Sequence, residues 1–429
     1  MSIKVALAMR KQVLEALPCR NADRPGPGRP LPSIPRAAGK APQRETESIR
    51  ARWRRLHAPD AAQVEIGDET SLRRHEVYRR NIENYVGTVK VPVGIVGPLR
   101  VNGRFAAGDY WVPLAATEAT LIASYSRGAK LLTRAGGCTA RVLDQGVSRT
   151  PGFVFASTPD ALEFSGWIES QAQPIRQAAE ATTRHGRLTG MTCISEGNYA
   201  FLDLRFDTRD ASGQNMVTIA AQAVCDYIRA RSPVRPLSIY IESNFSGDKK
   251  ASLRSLHSVR GRKVAAEAII PQAEIAACLH TSPHEMERYY RMAAVAGSMA
   301  GTFGTQGHFA NALAALYLAC GQDVACVAES AVGHMRFELL PGGDLFCSVT
   351  LPGVMVATVG GGTALPSQKA CLDILGLYGP GKAPALAEVA AALCLAGEIS
   401  IVGAICAGEF TRAHQQMARS PETREGGVR

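Results

Sequence analysis

The sequence predicts an α+β fold in which a smaller ferredoxin-like domain is inserted into a large, mainly helical domain with a buried central helix. The chain has 429 residues and 46% hydrophobic content, enough for a sizeable core and more than one structural unit. Residues 151–241 predict elements in the order β-α-β-β-α-β, the split motif of ferredoxin-like folds. Residues 292–320 contain no Asp, Glu, Lys or Arg, as expected of a buried central helical region. We therefore expect a disordered basic segment of residues 1–50, an inserted domain of residues 151–239, and a large domain of residues 51–150 and 240–429.

The N-terminal region carries much of the net charge of +10. Residues 2–17 predict a short helix, and residues 19–48 are rich in Pro, Gly and Arg, a composition typical of disorder. Charged helical patterns then dominate residues 51–83. The arginine clusters in this region either form a solvated basic surface, the interpretation we favour, or steer a polyanionic ligand. No recognition module with interleaved basic and aromatic residues indicates a nucleic-acid partner.

Targeting and cysteine patterns predict a cytoplasmic protein. No stretch of about twenty residues is free of charges and apolar enough to span a membrane, and no secretory signal is visible. The alanine-rich run 385–410 contains Glu388, Glu398 and Glu409, so we expect buried helices there. Eleven cysteines, an odd number without a Cys-x-x-Cys pair, are typical of reduced thiols, and their spacing with histidine indicates no metal site.

The other elements follow from periodicity and from glycine and proline punctuation. Thr117 is the candidate N-cap of a helix over residues 118–133, which ends at Gly136 and Gly137. In the inserted domain we expect a strand at 152–157, a helix at 159–182, a hairpin of 188–195 and 199–206, a helix at 214–231 and a strand at 237–242. Outside it we expect strands near 89–98 and 346–359 and two helices within 385–417.

Four distant segments each offer one ionisable side chain for chemistry: Glu118, Lys249, Asp323 and His414. A carboxylate in a first helical turn is usually a dipole partner or cap, and a proton-donor role would require burial. A loop lysine is usually solvated, but one held near a carbonyl stabilises an oxyanion. Asp323 either caps the next turn or is a buried partner that keeps Lys249 charged and tunes Glu118. His414 is either incidental or moves with the polar tail to protonate a leaving thiolate.

A fifth segment could receive a dinucleotide phosphate. The turn of Asp210, Ser212, Gly213, Gln214 and Asn215 opens a helix, and free N–H groups at helix N-termini bind phosphate. Arg184 would add charge. The glycines after Val359, beginning with Gly360 and Gly361, form either a tight turn or a place where a dinucleotide approaches the backbone. No Gly-x-Gly-x-x-Gly fingerprint supports a Rossmann domain.

Together these segments resemble the 3-hydroxy-3-methylglutaryl-CoA (HMG-CoA) reductase family over residues 83–420. The strings that carry the resemblance are Glu-Asn-Tyr-Val-Gly at 83–87, Ala-Thr-Glu at 116–118, Asp-Lys-Lys at 248–250, Gly-Gln-Asp at 321–323 and Thr-Val-Gly-Gly-Gly-Thr at 358–363. The Asp-Lys-Lys string is similar to the eukaryotic-type class more than to the degradative bacterial class.

The resemblance implies a four-electron reduction of HMG-CoA to mevalonate and CoA through a hemithioacetal and an aldehyde, with NADPH as cofactor. By motif, Glu118 would be the proton donor, Lys249 the oxyanion stabiliser, Asp323 their support and His414 the thiolate acid. The inserted domain would bind NADPH through residues 210–215, with Arg184 near the 2′-phosphate. Arg149, Asp248, Lys250 and Asn311 would bind the acyl-CoA substrate. The family also implies a homodimer or dimer of dimers with active sites shared between subunits.

Some positions depart from the family pattern. Ser212 and Gln214 stand where methionine is usual, Glu242 where a serine contacts the acyl group, and Met292 where we expect a lysine. The last two changes remove favourable contacts to the free carboxylate of the substrate, and Glu242 would repel it. Three alternatives therefore follow: an HMG-CoA reductase, which we favour, a relative that reduces another acyl-CoA, or a non-catalytic relative that binds acyl thioesters.

Overall fold

The computed structural model describes residues 42–410, which fall into two compact units. The first unit holds the described residues up to Glu76 together with Ile82–Thr88. Its helices are α1 (Pro42–Leu56), α2 (Asp60–Ile66) and α3 (Glu69–Arg73), and α4 (His75–Tyr78) follows at its border. The expectation that residues 42–50 are disordered is wrong, because they form α1. Ile49 and Trp53 lie one turn apart and are both buried, and the Trp53 indole donates to the carbonyl of Val86 at 2.9 Å.

The second unit is built on antiparallel sheets. Its strands are β1 (Val93–Asn102), β2 (Ala107–Ala115), β3 (Thr139–Arg149), β4 (Gly152–Val154), β5 (Arg187–Glu196), β6 (Tyr199–Asp207), β7 (Ser238–Tyr240), β8 (Gly261–Ile270), β9 (His334–Leu339) and β10 (Leu345–Val354). β1 and β2 form a separate hairpin, and the other eight form one sheet in the order β7-β4-β6-β3-β8-β10-β9, with β5 paired to β6. β3 pairs first with β8 and then, over its last three residues, with β6.

The helices of this unit occur both in the inserted segment and in the segments on either side of it. They are α5 (Leu121–Arg134), α6 (Thr158–Ser170), α7 (Ala172–Glu180), α8 (Gln214–Arg231), α9 (Arg254–His257), α10 (Gln272–Leu279), α11 (Pro283–Ala300), α12 (Phe309–Cys320), α13 (Val327–Ser330), α14 (Pro366–Ile374) and α15 (Ala383–Cys406). Short 3₁₀ turns lie at Val324–Cys326 and Gly361–Ala364. The described chain is therefore a mixed α and β structure.

The inserted segment has the predicted element types, with two differences. The single helix expected over 159–182 is two helices, α6 and α7, and β4 is only three residues long. Gln171 has φ −100° and ψ 12°, outside the helical region, and it separates the two helices. The rings of Phe153 and Phe155 on the β4 side each lie 4.9 Å from the ring of Phe164 in α6, so aromatic packing attaches the helices to the strands.

The buried central helix is α15, and not the run 292–320. Nearly every residue of α15 is buried, including Glu388 and Glu398. The expected central run is divided by Gly301, at φ 72°, where α11 ends. The α11 side chains of Met292, Val295 and Met299 are 59%, 62% and 85% exposed. The prediction of burial from the charge-free composition is correct only for the second half of the run, α12. Exposed apolar faces, such as that of α11, can have the same composition.

By length and composition, α15 is the one helix in residues 42–410 that could cross a membrane, but 83% of its most apolar window is buried in the protein. Two buried carboxylates hold this helix in place. Glu388 accepts from the backbone N–H groups of Phe105 and Ala106 at 2.8 Å each, and Glu398 accepts from those of Gly307 and His308 at 2.9 and 2.6 Å. Burial raises the pKa of Glu398 to about 7 against the opposing effect of these backbone bonds.

Candidate functional site

Lys249 and Asp323 are brought together, as the sequence predicted. Lys249 lies in the loop after β7 with φ 56°, and its Nζ is 2.9 Å from Oδ2 of Asp323. The hydrogen bond to Asp323 raises the pKa of Lys249, and partial burial opposes it, so the ammonium is charged at neutral pH. The other Asp323 oxygen accepts from the N–H of Ala325 at 3.1 Å and caps the following 3₁₀ turn. Asp323 is therefore both a cap and an ion-pair partner of Lys249. The expectation that it is buried is wrong, because its side chain is 38% exposed.

Glu118 does not join the pair of Lys249 and Asp323 within the described residues. It belongs to the exposed turn between β2 and α5, and not to the first turn of a helix. The expected N-cap at Thr117 is wrong, because Thr120 is the N-cap residue and its φ of 72° breaks the helical path before it. Within the described residues no hydrogen bond or ion pair joins Glu118 to Lys249 or Asp323. Glu118 instead lines a cavity of about 290 Å³ with Asn311 and Phe410.

A neutral histidine orders the wall of this cavity. Asn311 lies 3.0 Å from Nδ1 of His308, and Ser124 Oγ lies 3.2 Å from its Nε2. Burial, assisted by the charge of Arg127, lowers the pKa of His308 to about 4. A neutral ring that accepts the Asn311 amide at Nδ1 carries its proton on Nε2 and donates to Ser124. His308 was not among the predicted site residues, although a single histidine inside a charge-free run was a usable signal.

The predicted acyl-binding side chains are divided between two places. Arg149 is buried, and its Nη1 donates to Glu242 Oε2 at 2.8 Å and to Asp248 Oδ2 at 3.2 Å. Lys250 is exposed and donates to the carbonyl of Asp248 at 3.1 Å. Asn311 lies in the cavity with Glu118. Glu242, which we expected to repel the free carboxylate of the substrate, is the main partner of Arg149.

Glu242 also shapes the loop that carries Lys249. Its Oε1 accepts from the N–H of Asn244 at 2.8 Å, and its Oε2 accepts from the hydroxyl of Ser246 at 3.1 Å. A serine at this position could not reach all three partners, so the loop of this chain depends on the longer carboxylate.

A buried ion pair beneath the loop was also missed. Arg260 Nε lies 2.7 Å from Oε2 of Glu329, and both side chains are 3% exposed. Arg260 also contacts Asp248 and donates to the carbonyl of Ser148 at 3.0 Å. Neither residue belongs to a local pattern, since the contacts span about 70 positions of sequence between them.

The predicted phosphate-binding turn is positioned by Asp210. Its carboxylate accepts from the N–H groups of Gly381 at 2.8 Å and Ala383 at 3.1 Å, at the N-terminus of α15. Its carbonyl accepts from the N–H of Thr358 at 3.0 Å, which brings the glycine loop beside the turn. Asp210 thus shapes the turn with both its carboxylate and its backbone. Asp210 was one of the predicted cofactor contacts.

The start of α8 has the geometry of an anion site. Gly213 is the N-cap residue at φ 72°, and a Cβ there would lie 2.3 Å from Cγ2 of Thr208. The first N–H groups of a helix have no intrahelical acceptor. Gly360 and Gly361 have φ 73° and 52°, and a Cβ at either would meet no atom within 4 Å, so their surface is open.

Two predicted cofactor contacts, Arg184 and Gln214, have different surroundings. Arg184 is exposed in the turn before β5, and this turn contacts α8, because a Cβ at Gly186 would lie 2.5 Å from Sδ of Met216. The Gln214 side chain is directed inward, to Arg260 and Cys326. The predicted thiolate acid, His414, lies outside the described residues.

Comparisons with known proteins identify the family of the chain. A family profile described as hydroxymethylglutaryl-coenzyme A reductase matches residues 48–419. The 3-hydroxy-3-methylglutaryl-coenzyme A reductase of Aeropyrum pernix is 41% identical over 356 residues, which cover 82% of this chain and 84% of that protein. The protein of the same name from Methanothermobacter thermautotrophicus is 37% identical over 375 residues, or 87% of this chain and 94% of that one.

The fold has solved relatives too. The class II 3-hydroxy-3-methylglutaryl-CoA reductase from Streptococcus pneumoniae, bound to NADPH in open conformations, superposes with a TM-score of 0.63 and 21% identity. The match covers 85% of this chain and 97% of that chain. These comparisons place the chain among the oxidoreductases. It belongs to the hydroxymethylglutaryl-coenzyme A reductase family, which confirms the resemblance seen in the sequence.

Proposed function

We propose that this protein reduces HMG-CoA to mevalonate, converting one thioester, two NADPH and two protons to a primary alcohol, CoA and two NADP⁺. The observation that carries the proposal is the Lys249–Asp323 ion pair, at 2.9 Å, in a chain of this family. A charged lysine can stabilise the oxyanion that hydride addition creates, and Asp323 keeps the lysine protonated. A protein that only binds thioesters has no need of this pair.

The residues around the start of α8 fit a dinucleotide phosphate. Free N–H groups at the helix start, the left-handed Gly213 and the open surface at Gly360 and Gly361 all allow close approach of an anion. Arg184 offers the charge that a 2′-phosphate would select, which favours NADPH over NADH. NADPH bound there would supply the hydride for each of the two reductions.

Proton transfers would be divided among the ionisable residues. Glu118 would protonate the alkoxide formed at the carbonyl, and His414 would protonate the CoA thiolate when the hemithioacetal collapses to the aldehyde. Only the first reduction releases a thiolate, so His414 would act in that half-reaction alone.

The strand order supports a ferredoxin-like domain of residues 151–239 for the cofactor, inserted between two segments of a substrate domain. Counting only this segment and its closing strand, the strands lie in the order β7-β4-β6-β5, with α6, α7 and α8 between them in sequence. Because β3 pairs with β8 along most of its length and with β6 over its last three residues, it would join the strands of the two domains into one sheet.

A homodimer, or a dimer of dimers, would complete the site. Two observations support it: Glu118 and Lys249 have no mutual contact in the described chain, and α11 exposes Met292, Val295 and Met299 on the surface. A second copy of the chain that covers α11 could supply its own Glu118 to this Lys249. The cytoplasmic location remains a prediction from the cysteine pattern.

A second candidate substrate is an acyl-CoA without the distal carboxylate. The observation in its favour is the Arg149–Glu242 contact at 2.8 Å, which occupies the guanidinium that would bind that carboxylate. A carboxylate substrate must compete with Glu242, and an uncharged acyl group need not.

The deciding experiment is oxidation of NADPH by the purified full chain with HMG-CoA and with a panel of acyl-CoA thioesters. The proposal expects HMG-CoA to be reduced to the alcohol with two NADPH consumed per CoA released. Reduction of another thioester but not of HMG-CoA would select the second candidate, and no oxidation with any thioester would reject reductase activity.

A further inference from the structure

One short segment contacts both the catalytic lysine and the cofactor helix. Asp323, Cys326 and Glu329 recur every third residue through the 3₁₀ turn and α13, so they lie along one face. Asp323 holds Lys249 at 2.9 Å. Burial raises the pKa of Glu329, and a hydrogen bond from the backbone N–H of Lys249 is among the contacts that oppose this rise. The position of this segment therefore sets the position of the lysine.

Gln214, the first residue of α8, connects to the same face. Its Nε2 donates to Sγ of Cys326 at 3.1 Å, and its Oε1 accepts from Nη2 of Arg260 at 2.7 Å. Burial raises the pKa of Cys326, so the acceptor is a neutral thiol at pH 7. The amide uses both its donor and its acceptor in this bridge, and none of its contacts is to the open surface at the helix start.

The bridge is anchored on the side of Arg260. This guanidinium is 3% exposed and is held by Glu329, by Asp248 and by the carbonyl of Ser148. Buried ion pairs move little, because a displaced partner leaves a buried charge uncompensated. A shift of the α8 start is thus passed through Gln214 to the segment of Cys326, and not absorbed by loose side chains.

We infer that Gln214 is a positioning residue that couples the phosphate-binding start of α8 to the Lys249–Asp323 pair. The inference rests on the proposed function for the role of the helix start. Binding of the dinucleotide at α8 adjusts the contact between Asp323 and Lys249, and the state of that contact alters dinucleotide affinity in return. The sequence alone could not indicate this, since glutamine at a helix start commonly faces solvent.

The test uses Gln214→Met, which keeps the length of the side chain and removes both hydrogen bonds. Gln222→Met is the matched control, because Gln222 lies on the same helix and its amide donates to exposed Asp226. The first measurement is the rate at which acetic anhydride labels Lys249 in the full-length protein, followed by mass spectrometry across pH. This measurement requires no turnover.

Gln214→Met should lower the apparent pKa of Lys249, because Asp323, whose hydrogen bond raises that pKa most, would be less well held. The smaller contributions of Asp248 and Cys326, which also raise it, would remain. A fall of half a pH unit makes Lys249 about threefold more reactive at fixed pH. In turnover, kcat should fall about tenfold, and the Kd of NADPH should change together with the labelling, because the coupling is reciprocal. Gln222→Met should match the wild type in all three measurements.

Cys326→Ala tests the bridge from its other end while leaving Gln214 and Arg260 in place. It should shift the labelling of Lys249 in the same direction. Wild-type labelling in folded Gln214→Met and Cys326→Ala proteins overturns the inference. A raised Kd for NADPH with unchanged labelling also overturns it and makes Gln214 a direct cofactor contact. If labelling shifts as expected but the wild type reduces no thioester, the proposed function alone fails.

Discussion

Lys249 has a left-handed backbone conformation and pairs with the carboxylate of Asp323. Its φ of 56° turns the side chain toward Asp323, and both side chains remain about 40% exposed, at 43% and 38%. An ion pair this exposed contributes little to stability, about 1 kcal/mol or less. The role that we propose for this pair is therefore in chemistry at a carbonyl, and not in folding.

Lys249→Ala should lower turnover by about 10²-fold or more, because it removes the charge opposite the developing oxyanion. Steady-state NADPH oxidation measures the loss, and thermal unfolding should be unchanged. Lys369→Ala is the matched control: Lys369 forms a similar pair with Asp373, at 2.6 Å with side chains 45% and 50% exposed, and neither residue is a predicted site residue. Equal activity in the two variants would remove Lys249 from the mechanism.

Glu242 holds the guanidinium of Arg149, and in the proposed function it would compete for it with the substrate carboxylate. Glu242→Ser should free the guanidinium for the substrate carboxylate, so the KM for HMG-CoA should fall. The kcat should fall as well, because the loop of Lys249 loses its bonds to the Glu242 carboxylate. Asp203→Asn is the control, because it weakens a neighbouring pair with Arg254 without touching Arg149. An unchanged or raised KM in a folded Glu242→Ser protein would show that Arg149 does not bind the carboxylate.

At the scale of elements, the start of α8 depends on a glycine for two separate reasons. Gly213 has φ 72°, which costs other residues roughly 1–2 kcal/mol. A Cβ would also lie 2.3 Å from Thr208. Gly197, in the turn between β5 and β6, shares the positive φ, at 57°, but a Cβ there would meet no atom within 4 Å.

Gly213→Ala should therefore lower the free energy of unfolding by more than Gly197→Ala and should raise the KM for NADPH. The steric clash displaces the helix start, whereas the hairpin turn bears only the backbone cost. Chemical denaturation and NADPH titration measure the two effects. The phosphate site would have to lie elsewhere if Gly213→Ala lost stability but bound NADPH normally.

At the scale of the whole molecule, the apolar surface of α11 requires a partner in the proposed assembly. Val295→Glu places a charge on that surface and should convert the dimer to monomers with loss of turnover. Leu162→Glu on α6 is the control, since Leu162 is 58% exposed and Val295 is 62% exposed. Light scattering gives the mass of each variant. A dimer that survives Val295→Glu would exclude this face as the interface.

Local sequence patterns predicted some elements well. The range of α8 was predicted to the residue, and the β5–β6 hairpin to within one residue at each end. These elements carry strong periodicity and end at glycine or at polar turns, signals that lie within a few residues of each other. β8 was missed because Ala266 and Ala268 fill alternate buried positions, and alanine has low strand propensity.

The sequence was sufficient to identify the family, because the five short strings and their order along the chain do not depend on tertiary contacts. It also placed Lys249 and Asp323 in one site. Only the tertiary structure decided that Arg149 is held by Glu242, that α15 is the central buried helix, and that Gln214 faces inward to Arg260. These contacts join residues from about 45 to 110 positions apart, and a buried charge finds its partner through the packing of strands and helices, and not through its neighbours in sequence.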